Sequence, residues 1–536
     1  MKRALIFFLT LVAATAQSVT LPRGKEQLRQ LAVVPQLTMS FRLGVQDATF
    51  LEDLTEEGTI EDWKERARKK LQSEPDDLQT QLQLGRWLNV TDDTNAACGY
   101  LEKVVAASRR RSEQRPTDGG NLTVLAGALG ELGKVDEAES LYRRATTVAS
   151  NEWRCWTELG KFLDNRSFSS MTSGGSTNRS KETNFAEQLL KQPPVPEEME
   201  KAVKLRDEAS GCFQRAFAIA PKEFEVLVLR GRHLSFSNWT ATMIQHHREE
   251  TRLAAESVLF VMVGMFFSPL AAPEYQRALE MRPDCYRLLT LMAYSELVSA
   301  MKTFPRSDST QRPTLERLSE KSQKVVLQVM ERLKTLGRSS DKKIAAGALT
   351  SLCGLKTMLG DEGDQVADLQ RAVELDQTNE QAWDLLIINL LGAGSQEQLL
   401  EVCERRLKSR DSARNHLILA KALCRQKLYE KAEIQTEKAL GHEENYVPAG
   451  IMLVVLGIKK EVDPGAIAGR FEQLRKQIDG LADVEEKKSR YREFMLNAAI
   501  VCGLADENEE AKNLLKMLLK ADSEDEDARN ILNALP

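Results

Sequence analysis

The chain has 536 residues, 42% of them hydrophobic, 29% charged and only 6% aromatic, with a net charge of −5. The length is room for roughly three or four ordinary domains, and 16 prolines and 30 glycines are too few for a collagen-like or largely disordered chain. Ala, Leu, Glu, Lys, Arg and Gln dominate, which argues against a large β-rich enzyme, and the acidic balance supplies no global basic field for nucleic acid.

Met1 to Ala16 has the layout of a secretory signal peptide. Lys2 and Arg3 precede an apolar run from Ala4 to Ala13, and Ala14-Thr15-Ala16 is a small-residue cleavage pattern. The run is too short to span a bilayer. Cleavage is therefore expected, with an extracytoplasmic destination: periplasmic, secreted, or a secretory lumen in a eukaryote. It would take the net charge from −5 to −7, because residues 1–16 hold Lys2 and Arg3 and no acid. Residues 17–57 carry no assignment. N-x-S/T sequons stand at Asn89, Asn121, Asn165, Asn178 and Asn238. In a eukaryotic secretory protein they would be glycan acceptors on surface loops; in a bacterium they carry no meaning. The eight cysteines include no C-x-x-C pair, and most fall at apolar helix positions, where they act as small hydrophobes.

A recurring helix-pair pattern begins near residue 58. Leu84-Gly85-x2-Leu88 is followed by Ala97-x3-Leu101, and Leu125-Ala126 by Gly133 and Ala138-x3-Tyr142-x2-Ala145. Trp156-x2-Leu159-Gly160-x2-Leu163 precedes Ala209-x3-Phe213-x2-Ala216-x4-Pro221. Tyr275-x2-Ala278-x4-Pro283 and Leu369-x2-Ala372 close further second helices, and Trp383-x2-Leu386 opens a first one. Leu419-Ala420-x2-Leu423 leads to Ala432-x3-Thr436-x2-Ala439, and Ala511-x3-Leu515 with Ala528 and Ile531 ends the series. The physical logic is packing: a small residue in the first helix admits a bulky side chain from the second. On these residues the chain resembles the tetratricopeptide repeat (TPR) family, whose unit is 34 residues folded as helix–turn–helix. The resemblance implies an all-α solenoid of about eight partly degenerate units.

The expected organisation is a signal peptide at 1–16, an unassigned segment at 17–57, a first array at 58–302, a polar loop at 303–314 and a second array at 315–536. Within the first array, 164–197 reads as an inserted loop rich in Ser, Thr, Gly and Asn, and 235–270 as inserted helices. Residues 464–491 read as a long charged helix pair that fits the repeat poorly. The uncharged stretch from Ser257 to Pro273 reads as a buried helix, with membrane docking as the alternative.

The sequence has no P-loop, no G-x-S-x-G and no H-E-x-x-H, and with no strand before Gly174-Gly175, dinucleotide binding is implausible. No catalytic residue, cofactor or metal is assigned. His233, His246 and His247 lie close in sequence but lack a Cys or Asp cluster, and read as solvated or core histidines. Arg109-Arg110-Arg111 and the acidic Asp522–Asp527 stretch read as solvated helix ends and turns. Members of the TPR family hold peptides or protein segments on a concave face lined by the first helices. In that register Arg86, Arg154, Lys161, Arg232, Arg287, Arg414 and Lys421 form a partial basic stripe, while Gly127, Tyr294 and Ile388 interrupt it. Such a stripe would attract an acidic segment or a C-terminal carboxylate. The Lys–Asn–Arg clamp of cytosolic chaperone-binding members lacks its Asn at the matching places here. The resulting expectation is an exported scaffold for a protein or peptide partner. The alternative is a membrane-associated assembly factor docking through 257–273.

Overall fold

The computed structural model describes residues 25–34, 60–90, 94–172, 196–248, 269–301, 314–360, 365–393, 395–481, 484–523 and 525–535. Among these, the regular structure is helical, with no strand. Helix α1 spans Lys25–Gln30 and α2 spans Ile60–Ser73. The first pairs are α3 (Leu78–Val90) with α4 (Thr94–Gln114), α5 (Gly119–Glu131) with α6 (Val135–Val148), and α7 (Trp153–Thr172) with α8 (Pro196–Ile219). Next come α9 (Phe224–Arg248) with α10 (Ala272–Met281), α11 (Tyr286–Met301) with α12 (Glu320–Leu336), and α13 (Lys342–Met358) with α14 (Val366–Leu375). Then follow α15 (Glu380–Ala393) with α16 (Gln396–Ser409), α17 (Ala413–Arg425) with α18 (Tyr429–His442), and α19 (Val447–Lys459) with α20 (Pro464–Asp479). The last pair is α21 (Val484–Leu504) with α22 (Asn508–Ala521), and α23 (Glu526–Ala534) closes the array.

Three pairs close on a glycine of the first helix. A Cβ added to Gly160 of α7 would stand 2.9 Å from the Phe213 ring of α8, and one on Gly85 of α3 would stand 2.8 Å from Leu101 of α4. Tyr275 of α10 crosses Gly231 of α9 in the same way. Successive first helices also pack on one another: α3 on α5, α5 on α7, α11 on α13, α13 on α15, and α19 on α21. They therefore form the inner layer, and the second helices lie outside it.

Helix starts and stops follow from local chemistry. Asp118, Ser319, Asp341, Ser412, Asp463 and Asp525 cap α5, α12, α13, α17, α20 and α23 by accepting backbone N–H bonds, each interaction being worth about 1 kcal/mol. Five first helices end on a left-handed residue: Gly133 and Gly360, but also Lys427, Glu461 and Asp506. After Gly133, Lys427, Glu461 and Asp506 the next residue donates back to a carbonyl five residues earlier, as Lys134 does to Leu129 and Leu428 to Leu423.

Several sequence expectations change. The array holds ten described pairs where about eight were expected, and 464–504, expected to fit the repeat poorly, supplies α20 and α21 as members of the last two of them. Helix α7 runs to Thr172, so the loop expected from 164 begins later; 173–195 lie outside the described residues. So do 249–268 and 302–313, including most of the 257–273 stretch. Among the described residues no helix is long and apolar enough to cross a membrane. Asn121 is buried in the first turn of α5, with its amide donating to the Ser108 carbonyl at 2.9 Å and Ser112 Oγ at 2.8 Å, so this sequon is not on a surface loop. The acidic Asp522–Asp527 stretch is not simply solvated: Asp525 is buried and takes Arg492 Nε at 2.7 Å. All eight cysteines are free thiols, buried or half-buried.

If the close approach at the small residue holds each pair together, Gly160→Leu should destabilise the chain by about 1–3 kcal/mol through overpacking against Phe213. A urea or thermal melt reads this as a lowered midpoint, and an unchanged midpoint contradicts it.

Candidate functional site

The inner layer carries the residues singled out by register, and it gathers them into two main groups. In the first, Arg86 of α3 reaches Glu131 of α5 at 3.4 Å and Glu158 of α7 at 3.7 Å. Lys161 meets Glu158 at 2.6 Å. Burial would raise the Glu158 carboxyl, but Lys161 and Arg86 outweigh it and hold it below its ordinary value. Gly127 interrupts the stripe in sequence, but in space the Arg86 guanidinium occupies its place: a Cβ there would stand 2.9 Å from Nη2. Arg154 is exposed and stacks over the Trp153 ring at 4.6 Å. It acts with Lys161 on Glu225 of α9, whose carboxyl burial pushes up. This end of the face is a mixed lattice of cations and acids.

Arg232 lies on α9 within electrostatic reach of Asp164. Beside it, His233 Nδ1 stands 2.9 Å from Asp164 Oδ1, and its Nε2 stands 3.2 Å from Ser237 Oγ. That is the order of a nucleophilic triad. Ser237, however, sits inside α9, where neighbouring amides are committed to helix hydrogen bonds and leave no oxyanion donors. The trio ties α7 to α9 around a core histidine; His246 and His247 have no described side chains. Arg287 stacks over Tyr286 at 5.4 Å.

The second group is denser. Arg406 of α16 is only 1% exposed and reaches Asp384 at 2.6 Å and Glu380, both on α15. Arg414 of α17 binds the same Asp384 at 3.0 Å, and Arg410 reaches Glu380 at 3.1 Å. Burial pushes the Glu380 carboxyl up, but the arginines outweigh it and hold it low. Two turns further along the same helix as Arg414 stands Lys421. Burial drives its ammonium down to about 8; Glu493 opposes that, and Arg490 and Arg414 add to it. Arg490 and Glu493 of α21 are themselves a buried pair at 2.9 Å.

The next turn of α21 carries a residue the register did not single out. Asn497, buried, accepts from the Val33 backbone N–H at 3.0 Å and donates to the Val33 carbonyl at 2.9 Å. One carboxamide thus holds both hydrogen-bonding groups of one residue in the N-terminal segment. That segment lies on α19, α21 and α23. Leu28 is buried beside Gly503, where an added Cβ would stand 2.9 Å from Leu28 Cδ1. Lys459 donates to the Gln30 carbonyl at 3.0 Å, completing the end of α1, and Lys25 pairs with Asp506 at 2.7 Å. Beyond Val33, Val34 packs on the cores of the last repeats. The inner face of the last pairs is therefore a groove filled by a helical turn followed by non-helical backbone. The sequence signal that could have found Asn497 is a polar residue on the buried arc between Leu496 and Ile500, which demands a partner.

An unfolded lysine holds its proton to about 10.5, while folded Lys421 releases it near pH 8. Unfolding therefore takes up a proton between those values, so stability rises with pH across that window and Lys421 costs stability below it. Lys421→Met should raise Tm at pH 7 and remove that part of the rise between pH 8 and 10.5. An unaltered pH profile contradicts the burial of this charge.

No family model and no curated protein matches the chain. Among solved structures it is similar to YrrB, a TPR protein with an unusual peptide-binding site, at 15% identity over 37% of this chain and 97% of that chain (TM-score 0.27). It is also similar to yeast Tom70, at 14% identity over 89% of this chain and 94% of that chain (TM-score 0.33). The repeated helix pairs, their small-residue contacts, their turns and their inner layer of first helices make the fold a tetratricopeptide-type α-solenoid.

Proposed function

We propose that this chain is an exported protein-interaction scaffold that takes a short partner segment along its inner face. The observation that carries the reading is the Asn497 clamp on Val33. A side chain that satisfies a backbone N–H and its carbonyl together recognises extended peptide whatever its sequence, and adjacent pockets supply selectivity. The segment this groove fits has the form of its present occupant: an amphipathic turn with a Leu anchor, then two apolar residues outside the helix. The cations Lys421, Arg414 and Arg490 near the clamp favour an acidic group on the partner, because a carboxylate beside Lys421 offsets the cost of burying its charge. Arg86, Arg154, Lys161, Arg232 and Arg287 extend the same surface toward the other end. Their interleaved acids make it selective for segments with charges of both signs. Support for export is the Lys2-Arg3, apolar run and Ala14-Thr15-Ala16 order. Cleavage there would leave the occupant of the groove close to the new N-terminus.

The full chain carrying Leu28→Asp should release its own segment, since a buried unpaired carboxylate is costly. A fluorescein-labelled peptide of residues 22–36 should then bind this variant at least about tenfold more tightly than the wild type, whose groove is filled. Adding Asn497→Ala should weaken that binding by about tenfold or more, as two hydrogen bonds of roughly 1 kcal/mol each are lost. Equal binding with and without Asn497, read by fluorescence anisotropy, would remove the clamp from the account.

A further inference from the structure

We propose that Asp411, His416 and His442 form a binding site for a borderline divalent metal ion, zinc first among them. The three residues come from three places that the repeat brings to one edge. Asp411 stands in the turn between α16 and α17, His416 in the first turn of α17, and His442 at the last residue of α18. Asp411 Oδ1 lies 2.8 Å from His416 Nε2 and 3.0 Å from His442 Nε2. The three ligand atoms all lie within 4.8 Å of one another. A tetrahedral zinc ion with bonds of about 2.0–2.1 Å places its ligand atoms about 3.3 Å apart. The two carboxylate–imidazole separations need to open by only a few tenths of an ångström to admit it.

The surroundings of His416 point the same way independently. It is buried, and its Nδ1 lies 2.7 Å from Gln435 Oε1 on α18. Both ring nitrogens thus face oxygen atoms. A neutral imidazole has one N–H and one lone pair, so it can donate to one of these oxygens and not to both. A charged imidazolium could donate to both, and an ion on Nε2 satisfies the arrangement with the ring neutral: the lone pair goes to the metal and Nδ1–H donates to Gln435. This is how ligating histidines are generally oriented by a neighbouring oxygen. Gln435 is in this sense a positioning residue. Two imidazoles and one carboxylate select zinc, nickel or copper over magnesium or calcium, which take all-oxygen sets. Asp411 is 69% exposed and His442 39%, so the remaining coordination positions open to solvent and can take water or a group from a partner. An ion there would join the α16–α17 turn to the end of α18, stapling consecutive repeats on the edge away from the inner groove.

The test uses the purified full chain, stripped with a chelator and desalted, then titrated with zinc chloride against a competing chromogenic indicator. The wild type should bind one equivalent that the Asp411→Ala/His442→Ala variant does not, and Gln435→Leu should weaken that equivalent by about tenfold or more. Both substituted ligands are partly or fully exposed, so the double variant keeps its helical circular dichroism. Cobalt titration should give visible absorption bands of a tetrahedral site in the wild type alone, and zinc should raise Tm in the wild type and not in the variant. Zinc uptake that is the same in wild type and double variant assigns the ion to other groups and overturns the proposal, as does the absence of uptake by the wild type.

Discussion

The structure depends on one close contact made repeatedly: a small residue of a first helix against a large side chain of its second helix. Gly160 against Phe213, Gly231 against Tyr275 and Gly85 against Leu101 are three instances. Each brings two backbones close enough that one edge of the pair can reach the next. A single pair exposes most of its apolar surface, so stability comes from stacking, and each unit depends on its neighbours. The buried clusters accordingly run across pair boundaries, one joining α13 through α19 and another joining α19 through α23 with α1.

That stacking decides what the inner face can be. First helices side by side bring charged residues from adjacent units within a few ångströms, in surroundings where unpaired charge is costly. The outcome is paired charge: Arg86 and Lys161 share Glu158, and Arg406 with Arg414 shares Asp384. A buried network of this kind adds little net stability against an apolar alternative, but losing one member is expensive. It fixes the register of neighbouring units and leaves a surface of alternating sign. At the C-terminal end the balance tips toward cations around Lys421, and there the chain's own N-terminal segment lies in the groove.

The repeat was legible because each unit carries its packing signature within one stretch of sequence. Ala138, Tyr142 and Ala145 share one face of α6, and Ala209, Phe213 and Ala216 one face of α8, as their spacing requires. The units missed are those that fill the same positions differently. Helix α19 buries Val454, Val455 and Ile458 in place of a Trp–Leu–Gly series, and α20 hides Ile467, Leu474 and Ile478 among charges. The candidate site was legible by half. Register named the cations but not the acids they meet: Lys161 finds Glu158 within its own helix, Arg86 finds it two helix pairs on, and Arg414 finds Asp384 30 residues back. Contacts across a solenoid recur near the repeat length, so residues offset by one period are the pairs to inspect. Asn497 escaped for a different reason: its partner is a backbone 464 residues earlier, and no spacing within a unit encodes that meeting.

The claim on which the functional account rests is that the inner face of the last repeats holds peptide backbone through Asn497. Hydrogen exchange of the full chain, followed by mass spectrometry over residues 25–34, measures this directly. The account predicts slow exchange across Leu28–Val33 in the wild type, and loss of that protection in Asn497→Ala while α17 and α18 remain protected. Exchange of the wild-type segment at the rate of a free peptide would contradict it.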